Sequence, residues 1–300
     1  MSQKKVTIIG VPMHLGQNRR GVDMGPSAIR YAKVRQRIEQ LGFYVEDLGD
    51  IYVPSPERLT IENPKLKWLP QVKEVNEKLA DQVSKAIQQG SFPLVLGGDH
   101  SIAIGTLTGV TRQYQEVGLI WFDAHGDLNT EESSPSGNIH GMSLAVSLGI
   151  GHSDLVNMGN FSPKIKPDRT VIVGARDLDP PEKTRIHELG IRVFTMHEID
   201  RVGMAAVMEE AIQIASQGTK GIHLSFDLDG LDPKDAPGVG TPVLGGTTYR
   251  ESQLAMEMLA ESKQLLSAEF VEVNPILDQA NHTAKVAVEL IESILGKKIL

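Results

Sequence analysis

Asp123, His125 and Asp127 occupy alternate positions in FDAHGDLN, straight after the apolar run VGLIWF. Side chains alternate across a strand, so these three can point the same way. Two carboxylates and an imidazole a few ångströms apart shift one another's pKa or push apart unless a positive charge sits among them. The same layout occurs twice more. LVLGGDHS supplies Asp99 and His100; HLSFDLDGLDP supplies Asp227 and Asp229, with Asp232 beyond. Ionised Asp123, Asp127, Asp227 and Asp229 carry four negative charges, and neutral His100 and His125 can bind metal. Two divalent cations neutralise this set, whereas one leaves net charge in a partly buried site, which is costly. Oxygen-rich ligation with a few imidazoles suits Mn²⁺ and admits Fe, Co, Ni or Zn. Two ions sharing a water would make hydroxide near neutral pH, so a rate that rises above neutrality is expected. A lone Asp-x-Asp at a strand end is usually a turn or cap. Three clusters, each after an apolar run, argue for a metal centre instead. Asp99 reads as a cap beside that centre and Asp232 as a turn residue. His223 lies four positions before Asp227, about 13 Å along a strand, and reads as core.

Eight short apolar runs must position these groups: 6–12, 43–49, 92–98, 117–123, 170–176, 191–196, 221–228 and 267–274. Most are apolar on both faces, as strands buried between helical layers are. Helical periodicity fills the segments between, clearest at 72–90, 197–218 and 283–296. Strand and helix in alternation predict a parallel α/β sheet. Periodicity leaves open an open three-layer sandwich and a closed eight-stranded barrel. In both, ligands bind at the carboxyl ends of the strands, where all three polar clusters fall. Residues 51–70 are Pro-rich and read as a surface excursion.

The chain has 300 residues, 40% of them hydrophobic, enough for a large core. A formal charge of −8 argues against nucleic-acid or anionic-membrane binding. There is no Cys, so any metal is held by imidazole and carboxylate. No signal peptide and no spanning stretch is legible, and a cytoplasmic protein is expected.

GGDHS (97–101), DAHGD (123–127) and SFDLDGLDP (225–233) resemble the three signature blocks of the arginase/ureohydrolase family. GVPMHLGQNRRGVDMGPSAIR (10–30) and EVNP (272–275) extend the resemblance over essentially the whole chain, most closely to the bacillus-type bacterial branch. The resemblance implies a single catalytic domain over 1–300. Its fold would be a three-layer αβα sandwich with an eight-stranded, mostly parallel sheet. It implies two Mn²⁺ per subunit, one held by His100, Asp123, Asp127 and Asp227, the other by His125, Asp123, Asp227 and Asp229. It further implies hydrolysis of a guanidino compound to an amine and urea. Asn129 and the SPSGNIHGM loop (134–142) resemble the arginase branch, in which Asn129 and Ser136 would receive a substrate α-carboxylate, with Asn138 beside them. His140 would be a proton shuttle. In RDLDPPE (176–182), Asp179 and Glu182 would receive the α-ammonium, Glu182 through water. Agmatine has no carboxylate, so L-arginine, cleaved to L-ornithine and urea by a metal-bridging hydroxide, is the expected substrate. Agmatinase or another guanidino-substrate ureohydrolase is the alternative. Glu272 would pair with the guanidinium, a bidentate contact that suits a carboxylate. Thr241 is expected to orient Glu272, and Asp127 to carry a proton. Pro181 stands where the family often has Gly, and Pro135 where it often has Thr. The family resemblance also implies a homo-oligomer, a hexamer or trimer.

Overall fold

The computed structural model describes residues 4–300. Each of the eight apolar runs forms a strand: β1 (Lys5–Val11), β2 (Tyr44–Asp50), β3 (Phe92–Gly97), β4 (Gly118–Phe122), β5 (Thr170–Ala175), β6 (Arg192–Thr195), β7 (Ile222–Asp227) and β8 (Leu265–Val271). They form one sheet in the order β2-β1-β3-β8-β7-β4-β5-β6, and every strand pairing in it is parallel. β2 and β6 are free edges, so the sheet is open and the barrel is excluded.

The helices are α1 (Gly25–Tyr31), α2 (Val34–Gln40), α3 (Leu69–Gln88), α4 (Ala103–Thr111), α5 (Ser143–Ser147), α6 (Ser153–Val156), α7 (Pro180–Leu189), α8 (Met196–Val202), α9 (Met204–Ser216), α10 (Tyr249–Ser262) and α11 (His282–Ile294). Strand alternation divides the core between two layers. Ile8, Leu94, Ile120, Leu224, Phe226 and Phe270 pack with residues of α9, α10 and α11. Their neighbours Ile9, Val95 and Val271 pack against α3 and α4, and Leu119, Trp121 and Ile172 against α4 and α5. Both faces of the sheet are covered, and this is why its strands read as continuous apolar runs.

In α3, Val72, Val75, Leu79 and Val83 are buried, as the periodicity predicts, and Pro70 sits in the first turn where its missing N–H is harmless. The segment 197–218 differs from its reading as one helix. Gly203 takes φ 84 and separates α8 from α9. Residues 51–68 form no strand and only a short 3-10 turn, Pro56–Arg58, before α3 begins. Leu66 is buried there, and Lys67 N donates to Gly137 O at 3.2 Å, which ties the excursion to the loop after β4. Among the described residues, no helix is long and apolar enough to cross a membrane.

Four neighbouring strands in the middle of the sheet, β3, β8, β7 and β4, bring their carboxyl ends together. His100 follows β3, Asp123 to Asp127 follow β4, Asp227 ends β7 with Asp229 beyond, and Glu272 follows β8.

Candidate metal centre and substrate cleft

His100 opens the 3-10 turn after β3, with Asp99 as its cap. Asp99 accepts from Ser101 N at 3.0 Å and from Gly16 N at 2.8 Å, so it fastens the turn, as its sequence position suggested. The His100 ring lies flat on Trp121, centroids 4.0 Å apart. Trp121 Nε1 also donates to Asp123 Oδ2 at 3.0 Å, so one buried indole orients both residues. His100 Nδ1 stands 3.1 Å from Asp123 Oδ2, 3.2 Å from Asp127 Oδ2 and 3.1 Å from Asp227 Oδ2. His125 Nδ1 stands 3.3 Å from Asp123 Oδ1 and 3.1 Å from Asp229 Oδ2. Two groups that could hold a metal ion therefore exist among the described residues: His100, Asp123 and Asp227, and Asp123, His125 and Asp229. Asp123 belongs to both.

Burial alone would push the His100 imidazole down, but Asp123, Asp127 and Asp227 overcome it and raise it well above its ordinary value. His125 is raised in the same way, against burial, by Asp229 and Asp123. Burial and mutual repulsion raise Asp227, Asp229 and Asp127. Asp123 is held low despite burial by the two imidazoles it faces. Carboxylates that resist ionisation and imidazoles that hold protons are the signature of a field calling for positive charge. His100 Nδ1 has no hydrogen-bond partner although it is buried. An orphaned ring nitrogen among carboxylate oxygens fits a divalent cation held by hard oxygen and imidazole donors.

Asp127 and Glu272 both adopt left-handed backbone, φ 49 and φ 68. This costs a non-glycine residue about 1–3 kcal/mol, and it persists where surrounding structure compels it. Around Asp127, Leu144 N and Ala145 N at the start of α5 both donate to its carbonyl, at 3.0 and 3.1 Å. Around Glu272, its own N–H donates to Gly98 O at 2.9 Å, His100 N donates to Oε1 at 3.0 Å and Gln17 Nε2 donates to Oε2 at 2.7 Å. His140 Nδ1 is 3.3 Å from Glu272 Oε1. Burial lowers the His140 imidazole, but Glu272 outweighs it and raises it to about 9. A Cβ at Gly240 would lie 2.4 Å from Glu272 Oε2 and 3.0 Å from Gln17 Oε1, so any side chain there would push this carboxylate or its partner aside.

Thr241 differs from its expected role. Its hydroxyl donates to Asp229 Oδ2 at 2.9 Å, and Gln17 Nε2 and His100 N orient Glu272. Arg176 is a further residue the motif reading did not single out. Its guanidinium donates to the carbonyls of Gly174, Asp229, Gly230, Leu231 and Val243, between 2.6 and 3.3 Å. It thereby joins the ends of β5 and β7 to the loop that carries Gly240 and Thr241.

Above the acidic centre lies an open cleft whose lining includes His125, Asp127, Asn129, Ser136, His140, Asp177, Asp179, Glu182 and Thr241. Asp177, in the same RDLDPPE segment, was not anticipated. Asn129 Nδ2 donates to Asp179 Oδ2 at 2.9 Å and Asn129 Oδ1 accepts from Ser133, so the two sides of the cleft are linked directly. Asn138 N donates to Ser136 Oγ at 3.2 Å, and Lys67 Nζ reaches Asn138 Oδ1 at 3.1 Å from the 51–68 excursion. Pro180 and Pro181 fill the first two positions of α7, where no N–H is needed. Pro181 thus leaves Glu182 free to complete a capping box: Asp179 N donates to it at 2.8 Å, and Leu128 N donates to its other oxygen at 2.9 Å. Burial raises the Glu182 carboxyl to about 7.

The arginase family model matches residues 4–296. Over 298 residues the chain is 62% identical to the arginase of Bacillus caldovelox, covering 99% of this chain and 100% of that one. It is also 62% identical to the arginase of Bacillus subtilis strain 168, covering 99% of each. The native arginase structure from Bacillus caldovelox at pH 5.6 superposes with a TM-score of 0.97 over 99% of this chain and 100% of that one. The chain belongs to the arginase family. It is a hydrolase of the Bacillus arginase type, and the agmatinase alternative is not favoured.

Proposed function

We propose that this cleft hydrolyses L-arginine to L-ornithine and urea with two manganese ions. The observation that carries the reading is the shared Asp123: its two oxygens face two imidazole nitrogens, His100 Nδ1 at 3.1 Å and His125 Nδ1 at 3.3 Å. One ion would be held by His100, Asp123, Asp127 and Asp227, the other by His125, Asp123, Asp227 and Asp229. When bound, the ions supply a nucleophile at neutral pH and neutralise developing charge.

The remaining work falls to the chain's own groups. Glu272 accepts the substrate guanidinium through both oxygens, its orientation set by Gln17 Nε2 and His100 N. Asp127 takes the proton of the attacking water and passes it to the departing nitrogen. His140, protonated at neutral pH by its pairing with Glu272, supplies a proton to the ornithine amine. Ser136, Asn129 and Asn138 receive the α-carboxylate. Asp179 receives the α-ammonium, and Glu182 reaches it through water. We further propose a cytoplasmic homo-oligomer, a trimer or hexamer, that binds neither nucleic acid nor membrane; the acidic charge supports the last part.

Urea release measured with Mn²⁺-loaded protein, with L-arginine and agmatine side by side and a metal-stripped control, tests the reading. Metal-dependent urea from arginine and little from agmatine is expected. A preference for agmatine would overturn the α-carboxylate assignment, and equal activity without metal would overturn the metal centre.

A further inference from the structure

Glu269 is a fully buried carboxylate in the middle of β8, and the chemistry above makes no use of it. An ionisable group in such a place is costly unless partnered, so its partners are informative. Ala268 and Phe270 belong to the core on the α9–α11 side. By alternation Glu269 points to the other side, beneath the metal centre. The register pairs it with Ser225 on β7, and pairs Ser267 with His223.

These pairs make two separate contacts. His223 Nδ1 lies 2.8 Å from Ser267 Oγ, while its Nε2 is 3.6 Å from Glu269 Oε1, beyond hydrogen-bonding range. Ser225 Oγ donates to Glu269 Oε1 at 2.7 Å, and His100 Nε2 lies 2.8 Å from the same Oγ. A serine hydroxyl has one proton. With that proton directed to Glu269, Ser225 can only accept from His100, so Nε2 carries the hydrogen. His100 Nδ1 then presents a lone pair to the oxygens of Asp123, Asp127 and Asp227. Burial raises the Glu269 carboxyl, but the His223 and His100 imidazoles and the Ser225 hydroxyl bring it below its ordinary value, so it serves as an acceptor.

We infer that Glu269 is a positioning residue for the metal centre: acting through Ser225, it holds His100 in the Nε2–H tautomer and so keeps Nδ1 available to a divalent cation. The inference rests on the metal reading above and adds the group that prepares one of its ligands. Partners of this kind, behind a metal-bound histidine, are worth about 10- to 100-fold in metal affinity.

The test uses Glu269→Gln, which preserves volume but can offer an N–H to Ser225 Oγ. That turns the hydroxyl proton toward His100 Nε2 and favours the tautomer with hydrogen on Nδ1. Mn²⁺ would be titrated into metal-stripped full-length protein by calorimetry, with electron paramagnetic resonance to separate spin-coupled pairs from single ions. Wild type should bind two ions. E269Q should lose about 10- to 100-fold in affinity at one of them, and single-ion spectra should appear at Mn²⁺ levels that pair the ions in wild type. Ser225→Ala, which removes the link and leaves the carboxylate, should reproduce this and carries the test if E269Q does not fold. Ser267→Ala, which removes the partner of His223 Nδ1 and leaves Glu269 and Ser225 in place, should stay within about twofold of wild type. Wild-type affinity in E269Q, or a loss in E269Q absent from S225A, would overturn the inference. Failure of wild type itself to bind Mn²⁺ would instead overturn the metal reading, and the inference with it.

Discussion

The floor and the rim of the cleft are built by different means. The floor is made of strand ends: His100, Asp123, Asp227 and Glu272 follow four adjacent parallel strands, and the sheet's hydrogen bonds fix their spacing. The rim is made of loops, and side chains hold it. Asn129 links to Asp179, Glu182 fastens Asp179 and Leu128, and Lys67 reaches Asn138 from a distant excursion. The floor is charged and dry, so a lost group there leaves its neighbours unpaired in low dielectric. The rim meets water at Ser136, Asp177 and Asp179, where water can replace a lost partner, although Asn129, Asn138 and Glu182 are buried in it. Reaction chemistry therefore belongs to the rigid part, and substrate choice to the part whose sequence can vary at small structural cost.

The largest effect that could break this contrast is at the floor. Asp227→Ala should lose metal and activity together, by more than about 1,000-fold in kcat, since several kcal/mol of charge stabilisation depend on the cations. Metal analysis and urea release on the same sample decide it; full activity with two ions bound would remove Asp227 from the floor. Next comes His140, which stands between the two regions. His140→Ala should keep both ions and lose about 10²- to 10⁴-fold in turnover, as expected for a proton-transfer group. Loss of metal instead would make it part of the floor.

At the rim, Ser136→Ala should lower kcat/KM for L-arginine by about 10-fold, chiefly through KM, the size of one hydrogen bond to a charged group. Its slow turnover of agmatine, which has no carboxylate, should be unchanged; an equal loss on both substrates would show that Ser136 shapes the cleft rather than reads the carboxylate.

The smallest effect is one of pH and stability. The Glu182 carboxyl is raised to about 7 from an ordinary 4.5. A raised acid favours the folded state while protonated, and that contribution is lost as pH climbs from 4.5 through 7. The melting temperature of wild type relative to Glu182→Gln should therefore fall between pH 5 and pH 8. A constant difference across that range would show that Glu182 does not titrate within the fold.

Much of the floor is legible in the sequence. Asp123, His125 and Asp127 share a two-residue period with the strand that precedes them, and strand periodicity is local. Charge counting among four carboxylates and two imidazoles points to metal, and the structure gathers two His/Asp groups able to hold it; local chemistry also reads Asp99 as a cap and Asp232 as a turn residue, whose carboxylate accepts from Lys234 N and Gly245 N. All eight strands followed from apolar runs. The break between α8 and α9 was missed because Gly203 interrupts the backbone but not the apolar periodicity. Thr241 was set beside the wrong carboxylate, because a loop's path carries no periodic signal. The Glu272 partner Gln17 was missed since 255 positions separate them. Trp121, Arg176 and Glu269 read as ordinary members of apolar or polar stretches, and only their neighbours give them meaning.

By itself, then, the sequence determined which residues can do chemistry, the strand–helix alternation that carries them and the family to which the blocks correspond. These depend on side-chain type and on spacing within a few residues. Periodicity left barrel and sandwich open and the family resemblance implied the sandwich; the tertiary structure shows the free edges and decided that β8, last in the chain, inserts between β3 and β7. That insertion brings Glu272 to His140 and sets Glu269 opposite Ser225. Strand order is chosen by the packing of whole layers against one another, and no local pattern of residues encodes it.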